Sequence, residues 1–417
     1  MSAPTASSLR LARQLSRTSV VAAAASPAFA PSSAAAAARL LPSAAKSPSF
    51  SHVVRAFSSS APASSTLTTF VPTTPQSVLT SSPEANGKQP PHLLSLADLS
   101  PAQIQDFISL ASELKYNWYN KKSISPSLKK KTIALLFTKR STRTRVASET
   151  SVSLLEGTPL FLGPSDIQLG VNETLYDTTR VLASMVDGIF ARVGGHDEVE
   201  LLAKHSRVPI INALSARYHP TQILADLLTL VEVYGDSSNP SLKKLAGLKV
   251  AWVGDSNNIL NDMLVAYPRL GIHLAVAAPK GDAYKRDEIV WKTMTDALDA
   301  GDVLEGVSAG KVSWSNDPLE AVKDADVIVT DTWISMGDEA TKEQRLRDFA
   351  GFQVTEDLAK RGGAKPDWKF LHCLPRKGDE VDDEVFFSDR SVVFPEAENR
   401  KWTILALFER IFGHRSF

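Results

Sequence analysis

The sequence predicts an α/β protein of two domains, each a mostly parallel sheet flanked by helices, with the ligand cleft between them. Three observations predict it. Short apolar runs alternate with amphipathic helical stretches from about residue 132 onward, the pattern of parallel strands joined by crossover helices. The alternation breaks at Gly235-Asp236-Ser237-Ser238-Asn239-Pro240, a turn-rich stretch suited to a hinge, and then restarts. The chain has 417 residues, more than one hydrophobic core usually supports.

Ordered structure is expected from about Leu93. Ser100-Pro101 reads as a cap residue followed by proline at the first helical position, and the helix it opens runs to about Tyr119. In the first half, strands are expected over 132–137, 160–162, 188–193 and 208–212, each short and apolar. Helices are expected over 142–155, 175–185 and 220–234. In the second half the expected strands are 249–254, 273–277, 327–330 and 369–372, with helices over 259–270, 318–323 and 396–412. No fixed-period repeat is present. The segments 235–246 and 301–314 receive no role. Halves of this kind bind ligands at the carboxyl ends of their strands, between the two.

Charge is uneven along the chain. There is no Asp or Glu before Glu84, whereas Arg10, Arg13, Arg17, Arg39, Lys46 and Arg55 all fall in residues 1–57. That stretch is otherwise rich in Ala, Ser and Pro, the composition of an organelle transit peptide. Leu11 and Leu15 form one stripe at helical spacing and Arg10, Arg13 and Arg17 another, so a short basic amphipathic helix can present itself to a mitochondrial import receptor. A cytosolic disordered tail is the plainer alternative. Residues 1–57 are read as the leader, with processing near Arg55, and 58–91 as linker. Without the leader, 40 basic residues face 46 acidic ones, a net charge of −6, which argues against nucleic acid as a partner. No apolar run reaches the roughly 18 residues of a membrane helix. The single cysteine, Cys373, allows no internal disulfide and no cysteine-rich zinc site, and suits a reducing compartment.

The strongest local signal is Phe137-Thr138-Lys139-Arg140-Ser141-Thr142-Arg143-Thr144-Arg145, which leaves a buried strand and opens a helix. A helix amino terminus offers free N–H groups and a positive dipole end, which suit phosphate. Ser141, Thr142 and Thr144 add hydroxyls, and Arg143 can hold two phosphate oxygens at once. A capped helix with a basic solvent face is the simpler reading. Four basic side chains crowded against three hydroxyls repel one another too strongly to serve that purpose alone. Val253-Gly254-Asp255-Ser256-Asn257-Asn258 lacks the spaced glycines of a dinucleotide turn. Neither a cofactor nor a metal is expected.

Ser141-Thr142-Arg143-Thr144-Arg145 resembles the carbamoyl-phosphate loop of the aspartate/ornithine carbamoyltransferase family. His219-Pro220-Thr221-Gln222 is similar to that family's second carbamoyl-phosphate motif. Asp331-Thr332-Trp333-Ile334-Ser335-Met336-Gly337 resembles the loop of its ornithine-specific members. His372-Cys373-Leu374-Pro375-Arg376 resembles its ornithine-site cysteine motif, and Phe394-Pro395-Glu396-Ala397-Glu398-Asn399-Arg400 the segment opening its last helix. The five motifs run in order between about residues 92 and 413.

The resemblance implies transfer of the carbamoyl group of carbamoyl phosphate to the side-chain amine of L-ornithine, in a homotrimer of the mitochondrial matrix. It makes 92–234 the carbamoyl-phosphate-binding domain, 247–392 the ornithine-binding domain, and 393–413 a helix packing back onto the first. Carbamoyl phosphate is expected on Ser141, Thr142, Arg143, Thr144, Arg192, His219, Gln222, Cys373, Leu374 and Arg400. Of these, Arg192 ends an apolar strand, where an arginine clamps a ligand. His219 precedes a helix start and can stabilise the developing oxyanion, and Gln222 offers both a donor and an acceptor. Ornithine is expected on Asn258 (Asn257 if the register is off by one), Asp331, Ser335 and Met336, with Cys373 beside its side chain. Cys373, His219 and Arg192 are the expected catalytic groups. Gln168 is the expected contact to a neighbouring subunit.

Two other readings compete. An enzyme of this fold using another amino-acid acceptor would need a different loop: aspartate calls for a base where Asp331 stands, and N-acetylornithine lacks the ammonium that Asp331 would pair. A non-catalytic carbamoyl-phosphate-binding regulatory protein would have no use for Arg143, His219, Cys373 and Arg400 together.

Overall fold

The computed structural model describes residues 90–165, 173–236, 239–334 and 341–412, all within one compact unit, Val71–Phe417. Gln168, Ser335, Met336 and the 1–57 leader lie outside the described residues.

The first half runs α1 (Pro101–Tyr116), β1 (Thr132–Phe137), α2 (Thr142–Leu154), β2 (Thr158–Leu162), α3 (Leu175–Met185), β3 (Gly188–Arg192), α4 (His196–His205), β4 (Ile210–Leu214) and α5 (Pro220–Tyr234). Its described strands form a parallel sheet in the order β2-β1-β3-β4. Ser100 caps α1 in a reciprocal box with Gln103. The last turn after Tyr116 widens into a π-turn over Asn117–Lys121 and stops at Lys122, which has a φ of +52°.

The second half runs β5 (Lys249–Val253), α6 (Asn258–Ala266), β6 (His273–Ala277), α7 (Glu288–Asp299), β7 (Val312–Ser315), α8 (Pro318–Val322), β8 (Val327–Thr330), α9 (Lys342–Asp348), α10 (Glu356–Gly362), β9 (Lys369–His372) and α11 (Asp383–Phe386). These strands form a second parallel sheet in the order β7-β6-β5-β8-β9. The last helix, α12 (Val393–Phe412), packs against α1, α2 and α5 of the first half.

Both faces of each sheet are covered. In β1, Ile133, Leu135 and Phe137 join one apolar cluster while Ala134 and Leu136 join another, as alternation across a strand requires. Three local differences from the sequence reading have simple causes. The 208–212 strand begins instead at Ile210, because Pro209 has no N–H to give and serves only as acceptor for Ile189 N. The 259–270 helix ends at Ala266, and Pro268 opens a separate 3₁₀ turn. The segment 301–314, left without a role, supplies most of edge strand β7.

Two buried side chains tie the halves together. Asp262 on α6 accepts from Leu96 N at 3.0 Å and His219 N at 2.5 Å. Arg269 donates to the Leu96 and Leu99 carbonyls, at 3.2 and 2.6 Å, and pairs with Asp302.

Candidate active site

The phosphate loop is built by the β1–α2 junction. Ser141 is the cap of α2, its Oγ accepting from Thr144 N at 3.4 Å, and Thr142 is exposed. Thr144 is buried and its Oγ1 accepts from Arg400 Nη2 at 3.4 Å. Arg143 crosses the cleft and donates from Nη2 to the Leu374 carbonyl oxygen. Arg145 turns away, bonding Glu149 at 2.9 Å and lying 3.5 Å above the Phe161 ring. Of these two arginines, only Arg143 reaches across the cleft.

Arg192 closes β3, where the ladder to β4 shifts register. It is only 9% exposed and its Nε has no hydrogen-bond partner. Burial, then the neighbouring Arg143, brings its pKa down to about 10. Arg400, on α12, is fully enclosed. It donates from Nη1 to Gln222 Oε1 at 2.7 Å and from Nη2 to Thr221 Oγ1 at 3.0 Å, and its Nε has no partner. Its pKa is also lowered to about 10, by burial and then by Arg143 and Arg192. With Arg143, these two make a group of three guanidiniums close enough to lower the pKa of Arg192 and Arg400, an arrangement that suits an anionic ligand.

His219 caps α5 with its backbone held by Asp262. Burial, and then Arg400, Arg192 and Arg143, push its pKa well below the ordinary value, so the ring is neutral. Its Nε2 lies 3.5 Å from Arg400 Nη1 and its Nδ1 3.4 Å from Thr221 Oγ1. Gln222 corrects the sequence reading. Its Nε2 donates to Asp226 Oδ1 at 2.8 Å and Glu396 Oε1 at 2.7 Å, so both amide hydrogens are engaged and its oxygen is what it can still offer.

The second half brings Asp331, just after β8, beside Cys373, just after β9. Cys373 donates from Sγ to Asp331 Oδ1 at 2.9 Å, and Asn257 Nδ2 donates to Oδ2 at 2.9 Å. Burial and the Asp331 carboxylate push the Cys373 thiol well above its ordinary range. Asn258 instead donates to the Ser215 carbonyl at 2.8 Å, so it is Asn257 whose amide reaches Asp331. Leu374 adopts a φ of +59°, and its N–H donates to His372 Nδ1 at 2.8 Å. Arg345 folds over the acceptor loop, donating to the Trp333 carbonyl at 2.5 Å and pairing with Asp255.

Asp331, His372 and Cys373 each bring a donor atom within 4.8 Å of the others. Both ring nitrogens of His372 are already engaged, Nδ1 by Leu374 and Nε2 by Glu380 at 3.0 Å, so the trio offers a thiol and a carboxylate, not a free imidazole ligand. A hollow of about 610 Å³ between the two halves is lined by His196, Asp197, Arg217, Asn257, Lys285 and Asp287 among others. Its lining is mixed in charge, Asp197 and Glu200 standing with Lys285 and the Arg217–Asp287 pair.

Sequence reasoning missed Thr221, Asp226, Asp262 and Glu396. Asp226 carried a usable signal, standing four residues after Gln222 on the same face of an apolar helix.

A two-sheet α/β cleft with three converging arginines on one wall, and a thiol and a carboxylate on the other, defines an enzyme that transfers a group activated by phosphate. The chain belongs to the aspartate/ornithine carbamoyltransferase family: residues 91–232 match its carbamoyl-P binding domain and residues 246–411 its Asp/Orn binding domain. It is 52% identical over 332 residues to the mitochondrial ornithine carbamoyltransferase of Emericella nidulans, covering 78% of this chain and 90% of that protein. It is 50% identical to the Schizosaccharomyces pombe protein of the same name over 333 residues, covering 79% and 96%. The crystal structure of a mitochondrial ornithine carbamoyltransferase from Coccidioides immitis matches with a TM-score of 0.70 at 46% identity, covering 79% of this chain and 100% of that one.

Proposed function

We infer that this chain transfers the carbamoyl group of carbamoyl phosphate to the side-chain amine of L-ornithine, giving L-citrulline and phosphate, in the mitochondrial matrix. The observation that carries the reading is the buried Arg192, whose Nε has no protein partner, beside Arg143 and Arg400 at the carboxyl ends of the first sheet. The likeness to relatives named as mitochondrial ornithine carbamoyltransferases supports the acceptor and the compartment.

Carbamoyl phosphate binds first, its phosphate on the α2 amino terminus, Ser141 to Thr144, Arg143 and Arg192. Arg400, Thr144 and the neutral His219 surround its carbonyl oxygen, and Gln222 accepts from its NH₂. Leu374 presents its backbone from the other wall. Ornithine then enters with its α-ammonium toward Asp331, flanked by Asn257, Asn258, Ser335 and Met336. Its side-chain amine, with a pKa of about 10, must shed a proton to attack. Cys373 keeps its own proton and donates it to Asp331, so the thiol positions the amine and does not act as a thiolate base or nucleophile. The amine adds to the carbonyl carbon. The first ammonium proton goes to solvent before attack; Arg192, His219 and Arg400 stabilise the oxyanion, and as the C–O bond breaks the departing phosphate takes the second proton from the attacking nitrogen.

The same reading makes the protein a homotrimer, with Gln168 reaching a neighbour's site. Exposed apolar side chains on α2, edge strand β2 and α3, namely Val146, Leu160, Val181 and Met185, support a subunit contact there. Light scattering on Met185→Glu should then give smaller particles than wild type.

Citrulline formation from carbamoyl phosphate, with ornithine, N-acetylornithine or aspartate as acceptor, tests the function. Product from ornithine alone supports it; no product from any acceptor with a folded protein overturns it.

A further inference from the structure

Gln222 is held on three sides. Nε2 donates to Asp226 Oδ1 and Glu396 Oε1, at 2.8 and 2.7 Å, while Oε1 accepts from Arg400 Nη1 at 2.7 Å. Turning the amide over would set its oxygen against two carboxyl oxygens and its NH₂ against a guanidinium. The amide therefore has one orientation, in a pocket where Gln222, Asp226, Glu396 and Arg400 are each 2% exposed or less. Glu396 reaches further: its Oε2 accepts from His372 N at 2.9 Å, one residue before Cys373. The Asp226 and Glu396 carboxyls also bond each other, so one proton lies between them. That contact raises the pKa of Glu396 and lowers that of Asp226, which places the proton on Glu396.

We propose that Asp226 and Glu396 are positioning residues that lock the Gln222 amide with its oxygen toward the ligand, so that the site selects a carbamoyl phosphate over an acyl phosphate. The inference rests on the reading of carbamoyl phosphate as the ligand. A carbamoyl NH₂ donates to the fixed amide oxygen; the methyl of acetyl phosphate, otherwise the same shape, does not.

The test compares KM for carbamoyl phosphate with the inhibition constant of acetyl phosphate in wild type, Glu396→Gln, Asp226→Leu and Asp226→Asn. Asp226→Leu removes one acceptor from the Gln222 NH₂, and Glu396→Gln leaves a single oxygen to serve two N–H donors, Gln222 Nε2 and His372 N. Each is expected to raise KM for carbamoyl phosphate roughly tenfold, the worth of one hydrogen bond, with acetyl phosphate inhibition changed less than about twofold. Asp226→Asn keeps a side-chain oxygen that accepts from Gln222 Nε2, and should recover most of what Asp226→Leu loses. Equal weakening of both phosphates, or no recovery by Asp226→Asn, overturns the proposal. The Asp226 pair decides the matter even if Glu396→Gln fails to fold. A wild type that makes no citrulline refutes the function itself, whereas an active wild type with unrelaxed variants refutes this inference alone.

Discussion

Arg143, on the first turn of α2, donates from Nη2 to the backbone carbonyl of Leu374, in the turn after β9. One side chain thus touches both walls of the cleft. It joins the phosphate site to the residue next to Cys373, so phosphate occupancy is felt on the acceptor side through a single guanidinium.

Arg143→Ala should therefore lower kcat/KM for carbamoyl phosphate by about 10²–10³, the usual cost of deleting a charge-stabilising donor, and should weaken ornithine binding as well. Initial-rate kinetics with each substrate varied in turn would check both effects. Loss confined to carbamoyl phosphate would refute the link between the walls.

Arg192 is a buried cation with an unpartnered Nε, so it costs stability when the phosphate is absent. Arg192→Met should stabilise the ligand-free protein by about 1–2 kcal/mol, raising its melting temperature by roughly 2–4 °C. Carbamoyl phosphate should then stabilise wild type, by about 2.7 kcal/mol at a hundredfold excess over Kd, and leave the variant's melting unchanged. Calorimetry with and without ligand reads both.

Cys373 keeps its proton, because burial and the Asp331 carboxylate disfavour the thiolate. Alkylation by iodoacetamide should be slower than that of free cysteine from pH 7 to 9. Asp331→Asn should speed it severalfold, since the charge opposing ionisation is gone. Faster reaction in wild type than in free cysteine would contradict a protonated thiol.

His92 is tied to the first sheet, its Nδ1 accepting from Ile210 N at 3.0 Å, and burial lowers its pKa from 6.5 to about 4. The unfolded chain therefore binds a proton that the folded one refuses. Its contribution is intact above pH 6.5 and is lost as pH falls from 6.5 toward 4, by about 3 kcal/mol in all. Comparing wild type with His92→Gln in urea melts between pH 7 and 4.5, the wild type should lose more stability on acidification by that margin.

What could be read from the sequence was what is local. The phosphate loop joins a strand to the helix that follows it, so Thr132 to Leu154 announces itself without any distant partner. The helix His196–His205 escaped notice because its cap is Gly195, which offers no side-chain signal, and β7 because Val312 to Ser315 is half polar. The buried acids were illegible for a different reason. Glu396 is read as a surface charge until Gln222, 174 residues earlier, is seen to hold it. The same distance hid the single orientation of the Gln222 amide. Asn257 and Asn258 are neighbours facing different walls, a distinction set by the cap of α6 and not by composition.

The last helix also sets the order of assembly. Trp402, Leu405 and Phe408 of α12 are entirely buried, and Phe412 stands where a β-carbon on Gly188 would lie within 2.5 Å of its ring. A chain that emerges amino end first thus leaves the apolar backs of α1, α2 and α5 uncovered until residues 393–412 follow. A stop codon placed anywhere between β9 and α12 therefore strips the cover from the first half while leaving both sheets encoded in full.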